Sequence, residues 1–143
     1  MHFLLKVSFF IVIGLLCHAC ENTESEALSE NTGLPDDFSA FYVKFHRDTA
    51  FQRSHIVWPL KGLAAGLETE GETTWTRDEW VPHIRIPSSM EYDQTFNVLT
   101  DDLVVETIRE KDGNDAMQRR FAKLADGWAL IYYVEMQPTK RPD

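Results

Sequence analysis

The stretch DDFSAFYVKFHRDTAFQRSHIVWPLKG, Asp36–Gly62, decides the fold. Phe38, Phe41, Tyr42 and Phe45 recur at i, i+3, i+4 and i+7, a spacing that brings four rings to one face of a helix. Ser39, Lys44 and Arg47 fall between them on the opposite side. Asp36 and Asp37 follow Pro35, and either carboxylate can accept the unpaired amide hydrogens of the first turn and suits the positive end of the helix dipole. An aromatic side chain buries roughly 150–250 Å², so this face needs a broad cover, for which a sheet is the natural partner. The ring stripe therefore reads as core packing rather than as a cofactor contact. Asp48 or Thr49 can cap a second short turn carrying Phe51. Ile56, Trp58 and Leu60 then alternate with Val57 and Pro59, which is a strand pattern. Pro59 has no amide hydrogen, so this strand is expected to lie at an edge or to be locally broken there.

Beyond Gly62, Thr73–Trp80 reads as a second strand and Val81–Pro87 as extended chain bracketed by prolines. An antiparallel meander follows. Phe96 and Val98 share one strand face, and Val104 and Ile108 share a face of the next. Met117 and Phe121 do the same on the third, and Trp128, Leu130, Tyr132, Val134 and Met136 alternate on the last. Asp112-Gly113 and Asp126-Gly127 are hairpin signals of the type I′ kind, which needs positive φ. The expected fold class is α+β: an N-terminal helix on a strongly bent antiparallel sheet of five to six strands, shaped as a half-open cone.

Working back toward the start, Lys6, an apolar run over Val7–Leu16 and then Cys17-His18-Ala19-Cys20 read as a secretory leader over residues 1–19. The run is about ten residues, half of what a membrane-spanning helix needs. Ala19 before Cys20 resembles the lipobox of bacterial lipoproteins, although Cys17 stands where leucine is usual. The resemblance implies a lipid on Cys20, and with it attachment to a membrane. With Cys17 removed and Cys20 lipidated, the folded domain holds no thiol, which excludes disulfides, thiolate nucleophiles and cysteine-based zinc sites. Residues 20–34 are polar and acidic and are expected to form a flexible tether. Its acidity resembles the signals that send some lipoproteins to the outer membrane of Gram-negative bacteria. The domain itself is expected over 35–137, with a loose tail at 138–143.

The formal net charge is −9, and losing Lys6 with the leader makes the chain more acidic still. Such a chain repels phosphate backbones, so nucleic acid is not an expected partner. His46, His55 and His83 show no i, i+4 pair and no ligand motif, so no metal site is expected. Phosphate loops and the G-x-S-x-G elbow are absent, and no cofactor is implied. Gln52, Arg53 and His55 form the one polar cluster in an apolar stretch. They read either as a pocket rim, with His55 in acid–base work, or as a capped junction with Arg53 and His55 facing water. Trp80, beside Asp78, Glu79 and Pro82, is expected at the surface as a contact for a ligand. Arg119, Arg120 and Lys123 are expected to make a basic stripe, holding an anion or bridging to the abundant acids.

The order of elements, and the segment DTAFQRSHIVWPLKG, resemble a family of uncharacterised small lipoproteins from Gram-negative bacteria. The match rests on Phe51, Gln52, Ile56, Trp58, Pro59 and Leu60 and extends over residues 35–137. It implies a nuclear transport factor 2-like, or cystatin-like, fold and carries no catalytic residues over. The expectation is a lipid-anchored envelope protein whose domain binds a small molecule or a protein without catalysis. The alternatives are a small-molecule enzyme using the cone cavity, and an acidic inhibitor of a cationic protein.

Overall fold

A computed structural model describes residues 23–30, 32–65, 71–113 and 115–138. The leader, Cys20 and the tail beyond Pro138 lie outside the described residues. The chain divides into two compact units, Met1–Lys44 and Phe45–Asp143.

In the first unit, residues 23–30 are helical (α1), where the composition suggested a flexible tether. Glu24, Glu26, Ala27 and Leu28 are good helix formers, and the turn is closed by an orderly stop. Gly33 takes φ +66° and donates its N–H to Ser29 O at 2.9 Å, the left-handed glycine cap of a helix end. Ser29 Oγ donates to Leu34 O at 2.9 Å and to Asp36 Oδ1 at 2.7 Å, joining that stop to the next helix. Helix α2 spans Asp36–Arg47, with both first-turn aspartates in place and Asp37 Oδ1 accepting from Phe38 N. Phe38, Tyr42 and Phe45 are fully buried and Phe41 nearly so, as the ring spacing required. Phe38 packs against Phe41 and Tyr42 at 6.0 and 5.9 Å.

The second unit takes in the end of α2, the short helix α3 (Thr49–Ser54) and a six-stranded sheet. Asp48 caps α3, accepting from Ala50 N and Phe51 N. The strands are β1 (Ile56–Leu63), β2 (Thr73–Trp75), β3 (Tyr92–Thr100), β4 (Leu103–Glu110), β5 (Asp115–Leu124) and β6 (Gly127–Pro138). Their spatial order is β2-β1-β6-β5-β4-β3. The fold class is α+β, but the sheet is mixed rather than wholly antiparallel: β1 lies parallel to β6. An alternation pattern shows which face a side chain takes and says nothing of strand direction. Pro59 is not at an edge, since β1 runs between β2 and β6; instead, the β1–β6 pairing breaks between Ile56 and Lys61, on either side of the proline. Phe45 meets Phe121 of β5 edge-on at 5.5 Å, fixing the end of α2 to the sheet.

Three local expectations change. Asp112-Gly113 is not a type I′ turn: Gly113 lacks positive φ, and the connection runs over residues 111–114. The next hairpin turns at Ala125-Asp126, with Leu124 opposite Gly127, whose φ is +107°. In β6 the alternation slips. The pairing with β5 shifts between Arg120 and Phe121, so Tyr133 is buried and Tyr132 only half-buried.

At Gly62 the backbone of β6 leaves no room for a side chain on β1. A Cβ there would stand 1.6 Å from Tyr133 O and 2.8 Å from the Trp75 ring. Gly62→Ala is expected to cost about 3 kcal/mol or more, read as a fall in Tm followed by tryptophan fluorescence. Gly71→Ala, with nothing within 4 Å of its Cβ, is expected to leave Tm unchanged.

Candidate functional site

After β2, residues 76–91 contain neither helix nor strand, yet they are firmly held. Two side chains of α3 tie this strap by its backbone. Gln52 Nε2 donates to His83 O and to Phe45 O, both at 2.8 Å, while its Oε1 accepts from His83 N at 2.8 Å and from Trp80 Nε1 at 3.1 Å. Both amide hydrogens and both lone pairs of this buried carboxamide are thus used. Arg53 Nη1 donates to Arg77 O at 2.6 Å and Nη2 to Trp80 O at 2.9 Å. Trp80, expected at the surface, is 3% exposed. Its ring lies against His83, Tyr133 and Trp58 at 4.4, 5.5 and 6.1 Å. The acids at 78 and 79 that suggested exposure point outward, and Glu79 turns back to accept from Thr76 N and Oγ1. Those hydrogen bonds from Thr76 hold the Glu79 pKa below the ordinary glutamate value. His55 takes no part in the strap: its Nδ1 contacts Phe51 O and its ring stacks on Phe51 at 3.7 Å.

Beneath the strap the sheet buries an ion pair. Glu106 of β4 and Arg119 of β5 are directly opposed in register, and both are 0% exposed. Arg119 Nη2 donates to Glu106 Oε1 at 3.1 Å, and Nε lies 2.7 Å from Oε2, an ionic contact without hydrogen-bond geometry. Gln94 Nε2 of β3 donates to Oε1 at 2.8 Å. Arg119 Nη1 donates to His46 Nε2 at 2.7 Å. A guanidinium has no acceptor, so in this contact His46 Nε2 is the acceptor. The expected basic stripe does not exist. Arg119 points inward, whereas Arg120 points to the other face, its guanidinium 4.5 Å from the Tyr132 ring centre, and Lys123 is exposed.

A cavity of about 270 Å³ lies between the strap and this pair, lined by Pro82, His83, Ile84, Ile86, Met117 and Arg119. His83 Nδ1 is buried there and has no hydrogen-bond partner among the described residues. Burial, and then the charges of Arg119 and His46, push the His83 pKa down to about 3, against a weaker opposing pull from Glu106. Burial pushes the Tyr133 phenol up to about 12, and its hydroxyl donates to Met117 Sδ at 3.6 Å. A larger groove of about 510 Å³ runs past Leu63, Thr107, Arg109, Gln118 and Val134. That groove takes in Thr107 and Gln118 from the face opposite Glu106 and Arg119, and shares Met117 with the smaller cavity; the smaller cavity, which His83 and Arg119 border, is the candidate site. Among the described residues, no group of three His, Asp or Glu side chains is placed to hold a metal ion.

Of the residues singled out from sequence, Gln52, Arg53 and Trp80 come together as the tie of the strap, while His55 stands apart. The cavity residues His83 and Met117 were not singled out as a site, and Arg119 was noted only as part of a basic stripe. The available signal was a charge interrupting an apolar alternation on two successive strands, Val104-x-Glu106-x-Ile108 and Met117-x-Arg119-x-Phe121.

Removing one partner of the buried pair, as in Glu106→Gln or Arg119→Met, is expected to cost about 3–5 kcal/mol. The paired replacement Glu106→Leu with Arg119→Met is expected to recover most of this in a double-mutant cycle by urea unfolding. His83 also gives a pH dependence. Between pH 6.5 and about 3 the unfolded imidazole takes up a proton that the folded one does not, so His83 makes stability rise with pH across that window. His83→Gln is expected to flatten the difference between urea midpoints at pH 4 and pH 7.

No family model matches the chain, and no curated protein sequence matches it. Among solved structures it is similar to a cystatin-like protein from Bacteroides caccae, with a TM-score of 0.53 and 23% identity over 68% of this chain and 74% of that one. It is also similar to an NTF2-like protein from Bacteroides fragilis, with a TM-score of 0.51 and 16% identity over 73% of this chain. The match spans about half of that second protein, 47% of its length. A protein of unknown function from Pectobacterium atrosepticum follows more loosely, with a TM-score of 0.40 and 12% identity over 72% of this chain and 88% of that one. The two Bacteroides likenesses show that the fold is of the NTF2-like and cystatin-like kind.

Proposed function

We propose that this chain is a cell-envelope protein anchored by lipid at Cys20, whose folded domain binds a small, mainly apolar molecule without catalysis. The ligand occupies the cavity under the strap. The observation that carries the reading is the condition of the ionisable groups at that cavity. Glu106 is 0% exposed, with Oε1 accepting from Arg119 and Gln94 and Oε2 in ionic contact with the permanently charged Arg119, so its carboxylate is ill placed to take a substrate proton. His83, with a pKa of about 3, is a weak base, far from the near-neutral value that efficient proton transfer requires. The remaining lining is apolar: Pro82, Ile84, Ile86 and Met117. The anchor rests on the leader and Ala19-Cys20 in the sequence, and the outer membrane on the acidic residues that follow.

Both halves of the reading are tested on one protein. Titration calorimetry with 4-ethylphenol as probe is expected to show saturable one-site binding. Ile84→Trp is expected to abolish it while leaving Tm unchanged, because Ile84 lines the cavity yet is 74% exposed. In cells, Cys20→Ser is expected to move the protein from the membrane pellet to the soluble fraction. Continued co-sedimentation would overturn the anchor.

A further inference from the structure

We infer that the larger groove is a second binding site, which takes a straight-chain monocarboxylate with its head at Arg109 and its hydrocarbon lying across the strands toward Leu63. The inference goes beyond the binding function proposed above and does not rest on it.

The groove follows from the pairing of the strands. Thr107 of β4 is the register partner of Gln118 of β5, Gln118 that of Val134 of β6, and Val134 that of Leu63 of β1. Register partners share a face, so these side chains form one straight row across four strands, and all of them line the groove. A second row on the same face sets Arg109 opposite Ala116, and Ala116 opposite Gln137. Between the two rows β6 uses one residue more than β5, since Ala116 pairs with Gln137 but Gln118 with Val134. Such a bulge bends the strand and interrupts the ladder. Met117 sits at the interruption and joins the lining of a groove of about 510 Å³.

The chemistry is graded along the rows. The β4 end is polar, with Arg109 and Thr107, and Gln118 next to them; the far end is aliphatic, with Val134 and Leu63. No carboxylate lines the groove and its one charged residue is a cation, although the chain carries 23 acidic residues against 14 basic ones. Asp93, the register partner of Arg109 on β3, is engaged by Lys111 at 3.3 Å. A guanidinium offers five N–H donors and takes a carboxylate through two parallel hydrogen bonds, so a protein partner on one edge leaves donors for a ligand. One fixed positive charge among neutral donors matches a single negative charge, and a dianionic head would lack its second counterion. From β4 to β1 is three strand spacings, about 14 Å, which accommodates octanoate laid flat. A second copy of this chain would bring the same net charge of −9 to the face, which favours a small ligand over self-association.

Octanoate and 1-octanol, alike in chain and different in head, are the probes. The wild-type protein is expected to bind octanoate tighter than 1-octanol by about fivefold or more in titration calorimetry. Arg109 is exposed, so Arg109→Gln is expected to keep the wild-type Tm and to bring the two probes within about twofold. Octanoate is expected to move the amide resonances of Thr107, Gln118 and Val134 but not those of His83, Ile84 and Ile86, and 4-ethylphenol is expected not to displace it. Equal affinity of the wild type for both probes, an Arg109→Gln protein that keeps the full preference, or shifts confined to residues 83–86 overturns the groove site and leaves the cavity reading standing. A dimer in sedimentation equilibrium that Gln118→Arg abolishes would assign this face to a second copy, and contacts of residues 139–143 with Val134 in the ligand-free protein would assign it to the chain's own end; either overturns the inference. Binding of octanoate as expected, with no binding of 4-ethylphenol, supports the groove site and overturns the cavity reading alone.

Discussion

A guanidinium cannot shed its charge inside a protein, and Arg119 is buried to 0% exposure. Everything around it answers that constraint. Glu106 supplies the countercharge from the neighbouring strand, Gln94 steadies the carboxylate from the strand beyond, and His46 offers a lone pair from the end of the helix. Three strands and a helix end are therefore held by one charge as well as by the apolar contact of Phe45 on Phe121. Taking two ions from water costs several kcal/mol each, which their attraction recovers only with good geometry and further hydrogen bonds. Here the further hydrogen bonds are present at Oε1, while the Nε–Oε2 contact is ionic and lacks hydrogen-bond geometry. The pair fixes which arrangement forms more than it adds to stability, because a sheet slipped by one residue would turn both charges to the wrong face.

The strap is built on the same economy of polar groups. It is a stretch of chain with no ladder of its own, so its backbone must find partners elsewhere. Gln52 and Arg53, adjacent on a helix of six residues, reach it at Arg77, Trp80 and His83. A carboxamide is the one neutral side chain that can both give and take two hydrogen bonds, which is why it can satisfy a peptide N–H, a peptide carbonyl and an indole together. The cavity exists because the strap is held at this distance from the sheet.

Much of this was legible in the residues. The ring spacing at Phe38, Phe41, Tyr42 and Phe45 specified a buried helix face, and all four are buried. Alternation through Val104–Ile108 and Met117–Phe121 located two strands with the correct inward faces. What failed was whatever depends on partners distant in sequence. Trp80 reads as exposed from its acidic neighbours and is buried because Gln52, 28 positions away, takes its N–H. Arg119 and Arg120 read as one basic stripe because adjacency in sequence hides the two-residue period of a strand. The parallel pairing of β1 with β6 leaves no mark in local pattern. Gly113 and Gly127 sit in similar dipeptides, yet only Gly127 takes positive φ. Gln52 and Arg53 were noticed as a polar island, but their work as a tie requires knowing where residues 77–83 come to rest.

The strap is gripped through peptide groups at Arg77, Trp80 and His83, and among its side chains the Trp80 indole and the Arg77 guanidinium also bond to α3. Closure is therefore largely blind to spelling. Substitutions at Pro82, Ile84 or Ile86 alter what a guest would touch while leaving the fastening alone. Such an arrangement lets the lining of that cavity vary, one position at a time, on a scaffold whose assembly never has to be solved again.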